Sequence, residues 1–144
     1  MKSKIDGPAL WQVILDAALE WTVDGTSVLM GNGQSAGIPV HIMRLCKAAI
    51  CEVGAFRSKT PRHVMINRLP SGIHVPVHTD NVLDNPERWH LPLVTNPKHC
   101  YHWDIKEGIR HLKIGQWHWI DYTIPHAIGN FGTKERVHLI VDLI

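Results

Sequence analysis

The chain has 144 residues with 15 basic and 13 acidic side chains, enough for one domain with a real core of its own and too few for two. The formal charge of +2 includes no long run of one sign, so nothing in it calls for nucleic acid or an acidic membrane as partner. Three cysteines, Cys46, Cys51 and Cys100, are an odd number without Cys-x-x-Cys spacing, which argues against a disulfide framework and for reduced thiols in the cytoplasm. The first residues lack the apolar stretch of a signal peptide, and no run approaches the ~18 apolar residues of a membrane span, so a soluble cytoplasmic protein is expected. Eleven histidines and six tryptophans exceed ordinary usage and favour a metal or aromatic-lined site without locating it.

Asp6-Gly7-Pro8 reads as a helix start, because Asp caps free N–H groups and Pro is tolerated in the first turn. Leu10, Ile14, Ala17, Ala18 and Trp21 recur at helical spacing and predict an amphipathic helix over 8–21. Val23 to Met30 is ambiguous, with a short strand as one reading. Gly31 to Gly37 is a flexible loop that lacks the lysine and hydroxyl residue of a phosphate-binding loop. Ile42, Leu45, Ala49 and Val53 put a second helix over 40–54. From about His63 the pattern changes to short alternating runs broken by Pro, Gly, Asn and Asp. Strands are expected at 63–69, 73–79, 88–94, 100–104, 109–113, 117–121, 124–128 and 135–143. Such a series after one or two helices suits a jelly roll whose helices brace one sheet, in a single domain with residues 1–60 as helical support and 61–144 as the β core.

Within Ile73 to Asp80, period-two alternation places His74, Pro76, His78 and Asp80 on one face, which would carry chemistry, and Ile73, Val75 and Val77 on a core face. His78 and Asp80 are close enough to converge on one metal ion, whereas His74 stands roughly 13 Å away at about 3.3 Å per residue. His-x-Asp alone is weak evidence, since about 0.6 such tripeptides are expected by chance in this composition. The chain holds a second, His102-Trp103-Asp104, and the choice rests on the surroundings. His126 follows Pro125, and Arg136 lies ten residues further on, in the final strand. Two His and a carboxylate on a rigid β scaffold form a facial triad that leaves positions open on a non-haem Fe(II), and a planar guanidinium suits a carboxylate held through two parallel hydrogen bonds.

The ordered set Pro70-Ser71-Gly72-Ile73-His74-Val75, His78-Thr79-Asp80, Arg88-Trp89-His90-Leu91-Pro92-Leu93, Thr95-Asn96-Pro97, His126 to Asn130 and Arg136-Val137-His138-Leu139 resembles the aspartyl/asparaginyl β-hydroxylase family of Fe(II)/2-oxoglutarate-dependent oxygenases. The resemblance implies a double-stranded β-helix (a cupin-like jelly roll) and an iron held by His78, Asp80 and His126, with 2-oxoglutarate and O2 as co-substrates. It implies Arg136 as partner of the far carboxylate of 2-oxoglutarate, and Arg88 and His90 near the iron-side carboxylate or the substrate. Asn67 stands where the animal enzymes have a serine that helps bind 2-oxoglutarate. In those enzymes the Asp80 position is glycine; its presence here is more like the bacterial branch acting on small molecules. The remaining histidines, His74, His99, His102, His111, His118 and His138, read as structural or exposed, with a second reading for His138 because it shares the face of Arg136. Tyr101, Trp103, Trp117, Trp119 and Tyr122 read as packing rather than pocket wall.

The function expected is hydroxylation of an unactivated C–H of an amino acid or amino-acid residue, with release of succinate and CO2. The substrate is then a small molecule or peptide, with neither nucleic acid nor membrane as partner and no oligomeric state readable. Two rival readings remain: a cupin-like metalloenzyme that does not use 2-oxoglutarate, and a catalytically silent jelly-roll binding module.

Overall fold

The computed structural model describes residues 1–16, 26–30 and 40–144, with side chains for all of these except 26–30, 40–43 and 45. The first helix, α1 (Gly7–Asp16), starts where the Asp6 carboxylate accepts a hydrogen bond from the Ala9 amide at 3.0 Å, and it buries Leu10, Trp11 and Ile14. The part of the expected helix beyond Asp16 and the Gly31–Gly37 loop lie outside the described residues. The second helix, α2 (Val40–Arg57), runs three residues past its expected end and buries Cys46, Ala49, Ile50 and Val53 at i, i+3, i+4 and i+7. Gly54 does not stop it. A Cβ there would lie 3.1 Å from the Lys59 carbonyl oxygen, so glycine is needed for the close return of the chain. The turn comes at Ser58, whose φ of 54° lets the Lys59 amide reach back to the Gly54 carbonyl at 3.0 Å.

The described residues form nine strands in two antiparallel sheets. They are β1 (Thr26–Met30), β2 (Pro61–Leu69), β3 (His74–His78), β4 (Glu87–Val94), β5 (Cys100–Asp104), β6 (Gly108–Arg110), β7 (His118–Ile120), β8 (His126–Asn130) and β9 (Arg136–Leu143). The major sheet has the order β1-β2-β9-β4-β7 and the minor sheet β3-β8-β5-β6, a double-stranded β-helix. β1 settles the ambiguous stretch before the glycine loop: it pairs with β2, so the N-terminal part also contributes an edge strand.

Alternation along the major sheet separates two environments. Val137, Leu139, Val141 and Leu143 of β9 face the helices, together with Val64, Ile66, Trp89, Leu91 and Leu93, and these pack with the buried residues of α1 and α2 into the apolar core. Each such side chain contributes about 1.5–3 kcal/mol by leaving water, which fixes the register of the whole sheet. The opposite face of the same strands carries Arg136, His138, Asp142, Arg88, His90 and Asn67 into the space between the sheets. The fold therefore rests on a core outside the barrel, and the barrel interior is polar.

β3 departs from its expected faces. A register shift between Val75 and His78 breaks the alternation, so Val75 joins His78 on the inner side while Ile73 and Val77 are exposed, Val77 at 59%. Pro76, with no amide hydrogen to give the ladder, sits within the irregular segment. His74 is exposed, packed near Phe131, as its distance from His78 requires. No described helix is long and apolar enough to cross a membrane.

Candidate active site

His78 ends β3 and His126 begins β8, and the two are paired across the minor sheet with ring centroids 4.3 Å apart. Asp80 lies two residues past β3, where its amide donates to the Tyr122 carbonyl at 3.0 Å. The ligand atoms of His78, Asp80 and His126 all lie within 4.8 Å of one another, His78 Nε2 being 3.5 Å and His126 Nε2 3.9 Å from carboxylate oxygens of Asp80. Both rings are oriented in the same way. His78 Nδ1 lies 2.8 Å from the Pro76 carbonyl and His126 Nδ1 2.8 Å from the Ile124 carbonyl, so each donates through Nδ1 and leaves Nε2 as the ligand atom toward the common point. Two imidazole nitrogens and one carboxylate suit a divalent metal such as Fe(II).

Asp80 is held from behind. Arg88 donates to it from Nη1 at 3.0 Å and grips the fully buried Asp142 with Nε and Nη2 at 2.8 and 2.9 Å. The guanidinium lies 4.6 Å from the centre of the Tyr122 ring. Burial works against its charge, but Asp142 outweighs burial and raises Arg88 above the ordinary arginine value.

These groups line a cavity of about 420 Å³ between the sheets, with Asn67, Arg88 and His90 on the major-sheet side and His78, Asp80 and His126 on the other. Val75, Ile120, Ile128 and Ile140 are among the apolar residues that wall it. Arg136 stands behind this cavity rather than in its lining, and His102 lines both the cavity and the narrow void that Arg136 borders. Arg136 is 2% exposed, and burial lowers its guanidinium to about 10, still protonated at neutral pH. Its partners are the Asn67 Oδ1 at 3.4 Å and His138 Nδ1 at 3.1 Å; no carboxylate among the described residues pairs with it. A buried cation with no carboxylate partner among the described residues is costly.

His102 and His138 are both 1% exposed, and among the described residues neither ring nitrogen of His102 has a hydrogen-bond partner, nor does Nε2 of His138. Burial, then Arg110 and Arg136, pushes His102 down to about 4, so it is a neutral ring stacked 6.1 Å from that of His126. Tyr122 also lines the cavity, beyond its packing role, whereas Trp117 is in the helix-facing core and Trp119 is exposed.

A larger depression of about 660 Å³ lies on the outer side of the minor sheet, around Val77, Tyr101, Trp103, Ile109 and Phe131. There Tyr101 covers Gly129 so closely that a Cβ would clash with the edge of its ring, and it stacks on Phe131 at 5.6 Å. No metal-competent cluster opens into it among the described residues, so the smaller inner cavity is the candidate site.

A family model described as aspartyl/asparaginyl beta-hydroxylase matches residues 26–144. No curated protein matches the chain. Among solved structures, an oxidoreductase of the 2OG-Fe(II) oxygenase family from Burkholderia pseudomallei aligns with 93% of this chain and 76% of its own at 15% identity, with a TM-score of 0.68. A viral collagen prolyl hydroxylase from Paramecium Bursaria Chlorella virus-1 aligns over 99% of this chain and 87% of its own at 10% identity, with a TM-score of 0.63. A structure of DMSP lyases overlaps 57% of this chain at 16% identity and a TM-score of 0.46; this chain spans only 38% of that one, and the overlap carries no weight. At these identities the likenesses show the fold, a double-stranded β-helix.

Proposed function

The chain belongs to the aspartyl/asparaginyl beta-hydroxylase family, and from that premise we infer that it is an Fe(II)- and 2-oxoglutarate-dependent oxygenase that hydroxylates an unactivated C–H of an amino acid or amino-acid residue. The observation that carries the reading is one polar interior holding both a His-Asp-His donor set and, beyond it, a buried arginine with no carboxylate of its own. An α-keto diacid carries a group for each, a keto acid for the metal and a far carboxylate for the guanidinium.

His78, Asp80 and His126 would hold the iron, with Arg88 fixing the carboxylate and the two backbone carbonyls fixing the rings. Bound there, iron supplies the coupled reduction of O2 and oxidative decarboxylation of the keto acid to succinate and CO2, by which oxygen enters the C–H bond. Arg136 binds the far carboxylate through its fork, with Asn67 steadying Nη1.

The test is a screen of free amino acids and short peptides with Fe(II) and 2-oxoglutarate, read by succinate release and a mass gain of one oxygen. Product carrying both signatures supports the reading. Metal binding without any succinate, with or without candidate substrates, moves the protein to a cupin-like metalloenzyme of other chemistry.

A further inference from the structure

The outer face of the minor sheet is apolar where an antiparallel sheet open to solvent ordinarily shows polar side chains. Trp103 pairs with Ala127 of β8 on one side and Ile109 of β6 on the other, and Val77 of β3 lines the same depression of about 660 Å³. Ile109 is 75% and Phe131 62% exposed, so large apolar side chains stand in water here. Ala127, small among these neighbours, leaves a notch for one side chain. The charge on this face is of one sign: the lining includes Lys98, Arg110, His99 and His111 and no Asp or Glu. Arg110 is already countered, by Glu107 at 3.2 Å and Asp104 at 3.4 Å, whereas Lys98, in the turn before β5, forms no ion pair among the described residues. From Trp103 back to His99, the neighbour of Lys98, the chain runs four steps, roughly 13 Å at about 3.3 Å per residue.

We propose that this face is a docking surface for an extended acidic peptide, one with an aliphatic or aromatic side chain for the Ala127 notch and, four residues from it, an Asp or Glu for Lys98. Side chains at i and i+4 of an extended chain point the same way and stand the required distance apart. A single-ring aromatic acid is too short to fill the notch and reach Lys98 together. A second copy of this face would bring no carboxylate from its own lining to meet Lys98. Tyr101 and His111 line the stretch between the two ends and offer polar groups to a peptide main chain, which a fatty acid would leave unused. The surface is separate from the metal cavity, since Val77 and Ala127 line the outer depression while their neighbours His78 and His126 line the inner one. It stands whether or not the reaction proposed above is the right one.

The test is calorimetry on the full chain without 2-oxoglutarate, so that nothing turns over, with the probe acetyl-Ser-Phe-Thr-Thr-Thr-Glu-Ser-amide. One peptide is expected to bind per chain. Moving Glu one place toward Phe sets the two on opposite faces and should weaken binding about fivefold or more. Lys98→Glu exchanges an attraction for a repulsion and should cost about tenfold, and a probe with Lys in place of Glu should regain most of that loss on this variant. Ala127→Leu fills the notch and should abolish binding; Ile109→Ser, at a position too exposed to matter for folding, should weaken it several-fold. The proposal is overturned if wild type does not bind the probe, if both spacings bind alike, or if Lys98→Glu binds as wild type does. Dodecanoate that outcompetes the probe would make the surface a lipid site, and a doubled mass by light scattering that Ile109→Ser returns to one chain would give it to a second copy; either result also overturns the proposal.

Discussion

Two His-x-Asp tripeptides sit on the same minor sheet, and among the described residues only the first joins a donor set that could hold a metal ion. In His78-Thr79-Asp80 the carboxylate lies beyond the strand end, free to turn toward His126, and Arg88 holds it there. In His102-Trp103-Asp104 the carboxylate is already engaged: Asp104 accepts from the Lys106 and Glu107 amides at 2.9 and 2.7 Å and pairs with Arg110, closing the turn into β6. His102 Nε2 is left 3.7 Å from Asp104, beyond a hydrogen bond, and its ring lies against His126. Equal spacing thus gives unequal chemistry, because what decides is which other groups claim the carboxylate and which residue the register sets opposite.

That contrast is broken most sharply by removing ligands. His78→Ala and His126→Ala should each abolish stoichiometric Fe(II) binding by calorimetry, and Asp80→Ala should abolish turnover, while His102→Ala and Asp104→Ala should keep one metal per chain. Retention of iron in His78→Ala together with its loss in Asp104→Ala would reverse the assignment. Next in size is the deep arginine. Arg136→Ala strands a buried carboxylate, which costs roughly 3–5 kcal/mol, or a ~10²–10⁴-fold loss of 2-oxoglutarate affinity, with Arg136→Lys intermediate and metal affinity unchanged. An unaltered half-saturating concentration of 2-oxoglutarate would give that carboxylate to another cation. A smaller effect is expected behind the first tripeptide: Arg88→Met frees Asp80 and should weaken metal binding about 10–100-fold, as loss of a ligand's supporting partner generally does. Unchanged affinity would mean that Asp80 needs no brace.

The smallest effect distinguishes the second tripeptide as structural. Asp104→Ala removes two capped amides and should cost about 1–3 kcal/mol, seen as a Tm lowered by several degrees with metal affinity intact. Burial alone would raise the Asp104 carboxyl, but the Glu107 and Lys106 amides, with Arg110, outweigh it and hold it below the usual carboxylate range. A carboxyl depressed on folding contributes stability that is present above its unfolded value of about 3.9 and lost as pH falls through the folded one. The wild-type-to-Asp104→Ala difference in Tm should therefore shrink below about pH 4. A difference that grows on acidification would contradict the assignment.

β9 and β4 are legible in the sequence because their outer faces are uniformly apolar, so alternation delivers Arg136, Arg88 and His90 to the interior together. β3 is not, since its register shift near Pro76 moves Val75 inward and leaves Val77 outside, a change that period-two reading has no means to detect. The triad survives that error because His78 is fixed by its pairing with His126. The sequence places His102 in the second tripeptide and His138 on the face of Arg136, but not their near-complete burial, which depends on the facing sheet and is in no local pattern. For His102 the usable signal is its place between Cys100 and Asp104 on the buried side of β5, and for His138 the sharing of a face with Arg136. Tyr122 follows no strand period at all; its place at the cavity comes from the turn that also supplies the carbonyl for the Asp80 amide.

The central claim, that the first tripeptide and His126 hold an iron to which an α-keto acid also binds, is tested most directly by visible absorption under anaerobic conditions. Fe(II) and 2-oxoglutarate added together should give a weak charge-transfer band that neither gives alone, present in wild type and Asp104→Ala and absent in His78→Ala. No band in wild type with both ligands shown to bind, or a band that persists in His78→Ala, would contradict it.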